Sequence, residues 1–508
     1  MKKIAIILLA AAMAFPAAGQ QMQVSAPLAD AAAAADTTSA KKKKNKKPVQ
    51  YNEKGEIIKT GLNVGPFPII AFDADKGLQL GALINLYDFG DGSTYPNPRQ
   101  KWYAEGSYYF KGSMLFKLTY ENYFSIPNVR VSASAIYARD KAYDFFGFGG
   151  YQANYDWERM AVKADPEDPS KYSFSPFYKH HRDQLLLSCD FVGNIWNKKL
   201  FWEAGLHFNY FNITAIDRAS INKGKKEYDM FPSYDPTQPV DPLFNQPTLW
   251  ENFRDWGVIP EDELYGGFNT EIRLGILYDT RNKRAAPSKG IWAEGHAILA
   301  FPGISKNSYY RYSLTFRHYV TLVKDDWFTF AYRINYIGSF GSKVPYYMLP
   351  YMTMVGESFD YEAFGGYRTV RGIMRSRVEA LDALTWNVEF RSRFVKFKVA
   401  RQNIALGLSA FCDGTWATRN YDMTPGKGGK VLTIAQQEAY IKYMDSAPLK
   451  GKDLPHASIG AGFRFIMNEN FILAVEYGMP ISNMVPKTNP IYKQDGNGAF
   501  YVNVGYLF

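Results

Sequence analysis

The sequence predicts an all-β protein, a sixteen-stranded antiparallel transmembrane β-barrel. Three observations lead to this prediction. Polar and apolar residues alternate with a period of two over most of the chain, which is the period of a β-strand. Apolar residues never accumulate into the run of about 20 that a membrane helix needs. Long and short connections alternate between the predicted strands, as they do in outer-membrane barrels.

The N-terminal segment, residues 1–19, is a predicted secretory signal peptide. Two lysines precede its apolar stretch, and small residues follow at the expected cleavage point. Residues 20–60 are rich in Ala and Lys and hold too little apolar material for a core, so we expect a disordered periplasmic tail. The barrel is predicted to occupy residues 61–508.

Composition and charge exclude several classes of protein. Aromatic residues make up 16% of the 508-residue chain and charged residues only 21%, which excludes a disordered or fibrous protein. The net charge is +10, but residues 48–508 carry only +4, because the signal peptide carries +2 and residues 20–47 carry +4. The basic balance is therefore local, and we expect no binding of nucleic acid. Cys189 and Cys412 lie far apart, and no disulfide framework is implied.

The alternation identifies the individual strands. In residues 384–394, Trp386, Val388 and Phe390 fall on one face, whereas Asn387 and Glu389 fall on the other. In a barrel the apolar face contacts lipid and the polar face lines the lumen. By this reading both cysteines face outward. We predict strands at about 67–74, 77–88, 101–111, 113–125, 128–139, 176–193, 198–215, 267–281, 289–300, 307–323, 326–340, 381–397, 402–418, 456–467, 470–478 and 499–508.

The connections give independent support for the barrel. An even number of strands places both ends of the barrel on the periplasmic side, so the long connections are predicted extracellular loops. Residues 89–100 are too long for a periplasmic turn and fit this scheme least well. The long connections are 140–175, 216–266, 341–380, 419–455 and 479–498.

The connection 341–380 carries a motif in which Gly365 and Gly366 are followed by Val370, Arg371 and Gly372. Here the sequence resembles the BamA/TamA-type superfamily of outer-membrane assembly and translocation barrels, the bacterial surface antigen family, whose sixth extracellular loop carries such a motif. The resemblance covers about residues 61–508. Other stretches that fit the family pattern are Tyr278–Asn282 with Pro287–Gly290, Asn387–Arg391, and Phe411–Asp413.

The resemblance implies a site inside the barrel. In this family the sixth loop folds inward and its arginine meets acidic groups on the lumen wall, which implies contacts of Arg371 with Asp413 and with the nearby Glu389. Alternation independently points both carboxylates into the lumen. A guanidinium held by a shielded carboxylate makes a strong, directional contact. The alternative is an exposed loop arginine. Ile373 replaces the aromatic residue of the family pattern.

The resemblance also implies how the protein is inserted into the outer membrane. Tyr506 and Phe508 resemble the terminal signal that the outer-membrane assembly machinery reads when it inserts a barrel. We therefore predict an integral protein of the Gram-negative outer membrane, in contact with its lipids. Only about 40 residues of predicted mature chain precede Gly61, too few for a periplasmic POTRA module, so we expect a barrel-only member of the family.

The predicted function is outer-membrane protein assembly, translocation, or lipid or protein transport. One alternative is a passive or substrate-selective channel, and another is a scaffold barrel for a partner complex. A periplasmic or membrane protein is a possible partner of residues 20–60; the oligomeric state stays open. No enzyme activity, cofactor or metal is predicted, because the six histidines are scattered without a nucleophile motif, and the adjacent His180 and His181 face opposite sides of a strand.

Overall fold

The computed structural model shows an all-β protein. The predicted signal peptide, most of the predicted tail and Tyr506 lie outside the residues that the structure describes. In the described part of the chain, no helix is long and apolar enough to cross a membrane. The described residues are 50–52, 55–73, 76–162, 175–217, 247–341, 343–349, 351–355, 361–362, 364–504 and 507–508.

Among the described residues, seventeen strands form one large antiparallel sheet, and a small separate hairpin, β12–β13, lies in the connection after β11. The strands are β1 Leu62–Asp73, β2 Gly77–Asp88, β3 Gln100–Tyr109, β4 Met114–Ile126, β5 Val129–Asp144, β6 Lys179–Trp196, β7 Leu200–Thr214, β8 Gly266–Asp279, β9 Gly290–Ala300, β10 Tyr309–Val323, β11 Phe328–Phe340, β12 Tyr351–Met352, β13 Tyr361–Glu362, β14 Asp382–Ser392, β15 Val395–Val399, β16 Gln402–Arg419, β17 His456–Met467, β18 Phe471–Pro480 and β19 Ala499–Val504. The helices are Trp157–Met160, Leu249–Asp255, Glu261–Leu264 and Ile434–Asp445, with short 3₁₀ turns at Ser175–Tyr178, Lys324–Asp326, Tyr346–Met348, Lys427–Gly429 and Ile481–Asn483.

The sheet has one strand more than the predicted sixteen, because the predicted strand 381–397 is divided in two. β14 pairs with both β11 and β16, whereas β15 pairs with β16. Between them, the buried Arg393 turns inward and binds Glu469, with Nη1 2.8 Å from Oε1. Here the pairing with β16 shifts by one residue, since Arg391 pairs with Ser409 but Val395 pairs with Leu406, and the sequence pattern alone did not indicate this bulge.

The two faces of the sheet have the predicted polarity. In β14, Thr385, Asn387 and Glu389 are fully buried on the inner side, while Trp386 is half-buried and Phe390 is exposed on the outer side. An apolar outer face and a polar inner face suit a sheet that is surrounded by lipid. The two cysteines are free and half-buried.

The sheet has a seam between its first and last strands. Successive strands pair from β1 to β2 and onward to β18 with β19, but no backbone pairing joins β1 to β19 among the described residues. Side chains bridge the gap instead. The ring of Phe67 on β1 stacks on that of Phe471 on β18, with centroids 4.5 Å apart, and Ile69 and Leu83 pack beside them.

Two segments also cross the seam at the end with the short turns. In the connection 89–99, which is too long for a simple turn, the Pro96 carbonyl accepts a 2.7 Å hydrogen bond from Asn470 on the other side of the seam. Before β1, the backbone N–H of Ile57 donates to Asn403 Oδ1 at 3.0 Å. The unexpected length of 89–99 is therefore explained by its path across the seam.

The prediction that the last strand runs to the C-terminus was wrong. β19 ends at Val504, and Phe508 is buried against Tyr319 and Ala331 of β10 and β11. Arg391 donates a 3.0 Å hydrogen bond to the Phe508 carbonyl oxygen and its guanidinium lies 4.8 Å from the Phe508 ring centroid. These polar and cation–π contacts inside the sheet compete with continued strand pairing. The role of Tyr506 and Phe508 as an assembly signal stays a prediction.

At the end with the long loops, an aromatic cap covers the sheet. The cap is a buried cluster drawn from four long connections, and its members stack mainly edge-to-face or tilted. The helix Leu249–Asp255 is fixed in this cap by a capping box between Thr248 and Glu251. Central members of the cap are Phe145, Phe148, Trp250, Phe253, Trp256, Tyr346 and Tyr421.

The opposite end is crossed by the connection 280–289. Lys283 Nζ lies 2.9 Å from both Asp326 Oδ2, in the turn after β10, and Glu469 Oε2, in the turn after β17. The guanidinium of Arg284 lies 3.6 Å from the ring centroid of Tyr123 on β4. This connection therefore reaches from β8 to β4 and to the turns after β10 and β17, across the short-turn end of the sheet.

The cap contains a carboxyl group whose ionisation should loosen it. Glu263 Oε2 accepts hydrogen bonds from the Tyr346 backbone N–H at 3.2 Å and the Tyr421 hydroxyl at 3.4 Å, and burial raises the pKa of Glu263 to about 7. A raised folded-state pKa stabilises the cap below the ordinary carboxyl pKa, and that stabilisation is lost as the pH rises through about 7. We expect lower hydrogen-exchange protection factors in the cap at pH 8 than at pH 6, after correction for the faster base-catalysed intrinsic exchange at the higher pH. Glu263→Gln should remove most of this difference, and an unchanged pH dependence would contradict the assignment.

Candidate functional site

The candidate site is the inward-folded tip of the connection between β11 and β14, residues 364–373, here called the loop-six tip. Gly365 and Gly366 have φ angles of +117° and +88°, which favour glycine, and they reverse the chain. The Gly366 N–H donates to the Ile373 carbonyl at 2.9 Å, and the buried Val370 donates to Gly366 at 3.1 Å. Together these bonds give the tip a defined shape.

Arg371 projects from the tip into a fully buried position against β16. Its Nε and Nη2 donate to Asp413 Oδ2 and Oδ1 at 2.7 and 3.1 Å, and its backbone N–H donates to Asp413 Oδ2 at 3.1 Å. The guanidinium also lies 3.6 Å from the ring centroid of Phe411. The bidentate geometry fixes the orientation of the loop as well as its distance from the wall.

Two further carboxylates complete the contacts of Arg371. Its Nη1 lies 2.7 Å from Glu476 Oε1 on β18 and 3.0 Å from Glu389 Oε2 on β14. Arg464 bridges the same two glutamates at 2.5 and 2.8 Å, and Arg391 binds Glu389 at 2.8 Å. Three arginines thus face three carboxylates in a buried network whose formal charges balance. Such balance is what allows ionised groups to stay in a shielded interior.

Gly372 brings the backbone of the tip directly against β18. Its φ angle is +93°, and a Cβ added at Gly372 would lie 2.7 Å from the carbonyl carbon of Gly478. A Cβ added at Gly478 would in turn lie 2.8 Å from the Gly372 nitrogen. The Gly372 N–H donates to the hydroxyl of Tyr501 on β19 at 2.8 Å. Two glycines therefore permit a close backbone contact that any side chain would prevent.

The structure brings together the residues that the sequence singled out, and it adds others. Arg371, Asp413 and Glu389 meet as described above, whereas Glu476, Arg464, Gly478 and Tyr501 were not predicted. Alternation along β18 gives a signal for an inward Glu476, but nothing in the sequence pairs it with a loop residue 105 positions away. The ion pairs of Arg371 with these carboxylates can hold the loop-six tip against the inner wall. Elsewhere on the wall, Glu203, Glu294 and His296 form a group with metal-binding geometry.

Comparison with solved structures finds outer-membrane proteins. BamA from Haemophilus ducreyi lacking POTRA domains 1–3 is 16% identical, with a TM-score of 0.45, covering 87% of this chain and 69% of that one. CdiB from Escherichia coli is 8% identical, with a TM-score of 0.46, covering 83% of this chain and 59% of that one. The chain thus spans less than two thirds of this CdiB. No curated protein matches the sequence significantly.

The family model for the Omp85 superfamily domain matches residues 100–508, which is most of the chain. This range contains the loop-six tip, the strands that it contacts and the connection 280–289. The match confirms the resemblance to BamA/TamA-type barrels and the location in the Gram-negative outer membrane. The chain therefore belongs to the Omp85 superfamily.

Proposed function

We propose that this protein assembles or translocates other outer-membrane components, protein or lipid, at the seam between β1 and β19. The observation that carries the proposal is the path of the loop-six tip. Arg371 contacts Glu389, Asp413 and Glu476 on β14, β16 and β18, and its carbonyl accepts a hydrogen bond from Ser458 on β17. Tyr501 of β19 binds the neighbouring Gly372.

These contacts join the strands on one side of the seam into one unit. Opening the seam then requires β1 to separate from that unit. Among the described residues, no backbone hydrogen bonds between β1 and β19 would have to be broken. The contacts to be broken include the apolar stack of Phe67 on Phe471 and the hydrogen bonds that Asn470 and Asn403 make across the seam. A strand edge exposed in this way offers unpaired backbone groups to an incoming chain.

The segments that lie across both ends favour this proposal over a passive channel. The aromatic cap covers the long-loop end, and the connection 280–289 crosses the short-turn end. A scaffold role through residues 20–60 is tested separately by affinity capture from outer membranes with and without that segment. Partners that are lost on deletion of residues 20–60 would support it.

A seam lock tests the proposed function. In a background with Cys189→Ala and Cys412→Ala, cysteines replace Phe67 and Phe471, and a short bifunctional thiol reagent joins them. The protein is placed in liposomes, an unfolded outer-membrane barrel is added, and folding of that barrel is followed by its heat-dependent gel mobility. We expect faster folding with the unlinked protein and loss of that acceleration after linking.

The single variants Phe67→Cys and Phe471→Cys, treated with the same reagent, are the matched controls and should keep the acceleration. Full activity of the linked protein would rule out action at the seam. A wild-type protein that gives no acceleration and instead shows a steady conductance in planar bilayers would favour the channel.

A further inference from the structure

A group of three buried metal-binding side chains lies on the inner wall away from the loop-six tip. Glu203 on β7 and Glu294 and His296 on β9 are each at least 95% buried. One potential ligand atom from each residue lies within 4.8 Å of the others. Carboxylate and imidazole groups at this spacing are ligands that Zn²⁺ and similar divalent ions accept.

The sheet register creates the gap between these side chains. Glu203 is paired across the ladder with Gly275 of β8, and Gly275 is paired with His296 of β9. The three positions therefore form one row on the same face of the sheet. A Cβ at Gly275 would lie 2.5 Å from the His296 Cβ, so the glycine leaves the space between the two ligands open.

The surroundings of His296 orient it as a ligand. Its Nε2 lies 3.2 Å from Thr353 Oγ1, a contact that suits an Nε2–H donor. The other nitrogen, Nδ1, is buried and lies 2.9 Å from Glu294 Oε1, a spacing that two lone pairs adopt only with a proton or a metal ion between them. In a metal-binding histidine one ring nitrogen usually makes a hydrogen bond that orients the ring, and the other faces the metal.

Glu294 is held in the same way. Its Oε1 accepts a 2.7 Å hydrogen bond from the Val355 backbone N–H, and its Oε2 accepts a 3.0 Å bond from Trp292 Nε1. Thr353 and Val355 belong to the connection that carries the loop-six tip. Residues 353–355 therefore orient two of the three ligands, Glu294 and His296.

We propose that Glu203, Glu294 and His296 bind one divalent transition-metal ion of the Zn²⁺ class, which ties residues 353–355 to β7 and β9. Three protein ligands leave a further coordination position for water. The site is distinct from the Arg371 network and does not depend on the proposed assembly function. Two arginines lie near this group: the guanidinium groups of Arg317 and Arg130 are 5.1 and 5.9 Å from the ring centroid of Trp292. They would compete with a metal ion for the carboxylates of Glu203 and Glu294.

Zinc binding by the folded, full-length protein tests the proposal. The protein is stripped with a chelator, dialysed against buffered Zn²⁺ and assayed for bound metal. We expect about one zinc per chain, a loss of at least about tenfold in affinity for His296→Ala and Glu203→Gln, and a smaller loss for Thr353→Val. Heat-dependent gel mobility verifies that each variant is folded.

The matched control is His207→Ala. His207 is also buried on the inner wall and binds a carboxylate, with Nε2 2.8 Å from Asp190 Oδ1, but it is outside the metal-binding group. It should bind zinc as the wild type does. Absence of zinc from the wild-type protein, or equal zinc binding by wild type and both ligand variants, would overturn the proposal and leave arginine pairing as the role of these carboxylates.

Discussion

Replacing Arg371 with alanine should destabilise the protein by about 3–5 kcal/mol, because it leaves buried carboxylates without their shared cation. Asp413 loses a bidentate partner, and Glu389 and Glu476 keep only the other arginines. The change should appear as a lower midpoint in denaturant unfolding of the folded protein in detergent. It should also free the loop-six tip, measured as faster proteolysis within residues 364–373.

Two further variants are informative. Arg371→Lys separates the loss of charge from the loss of bidentate geometry, and Arg375→Ala shows the effect of losing a partly buried arginine of the same loop. Lysine keeps the charge but loses the fork that binds Asp413 at two points, so an intermediate destabilisation is expected. Arg375 lies in the same loop, is only partly buried and is 3.6 Å from Asp140, so its removal should cost less than about 1 kcal/mol. Equal effects of Arg371→Ala and Arg375→Ala would show that the buried network does not hold the loop.

Replacing Gly478 with alanine should displace the loop-six tip without removing any charge. The added Cβ would lie 2.8 Å from the Gly372 nitrogen and 2.9 Å from the Arg371 carbonyl carbon, and backbone atoms cannot move aside as a flexible side chain can. We expect a cost of about 1–3 kcal/mol from this overpacking. Unfolding midpoints and proteolysis of the tip again provide the measurements.

Gly106→Ala is the matched control, because Gly106 is also a strand glycine, but its added Cβ would meet only the Phe116 ring, at an ordinary 3.4 Å. The double variant Arg371→Ala/Gly478→Ala should be less destabilised than the sum of the two single changes, since both act on one contact. Strict additivity would mean that Gly478 acts through something other than the seating of Arg371.

Much of the sheet could be predicted from local sequence. The alternation in 384–394 predicted which side chains of β14 face inward, because successive residues of a strand point to opposite faces whatever the strand pairs with. The loop-six motif predicted Arg371 and its neighbours through the family resemblance. The break between β14 and β15 was missed, since the extra residue appears only in the register of these strands against β16.

The C-terminus shows the same limit. Alternation placed Phe508 in a strand that continues to the end of the chain, and the structure instead places it between Tyr319 and the guanidinium of Arg391. A local period reports which backbone geometry a segment favours. It does not report which distant groups compete for that segment.

The sequence by itself determined the all-β class, the polar inner face and the arginine motif, because each depends on residues a few positions apart. The tertiary structure alone decided which carboxylates surround Arg371, that Gly372 and Gly478 touch, and that Glu203 lies close to Glu294 and His296. These groupings require strand register and the path of a long loop, and both depend on the pairing of the whole sheet.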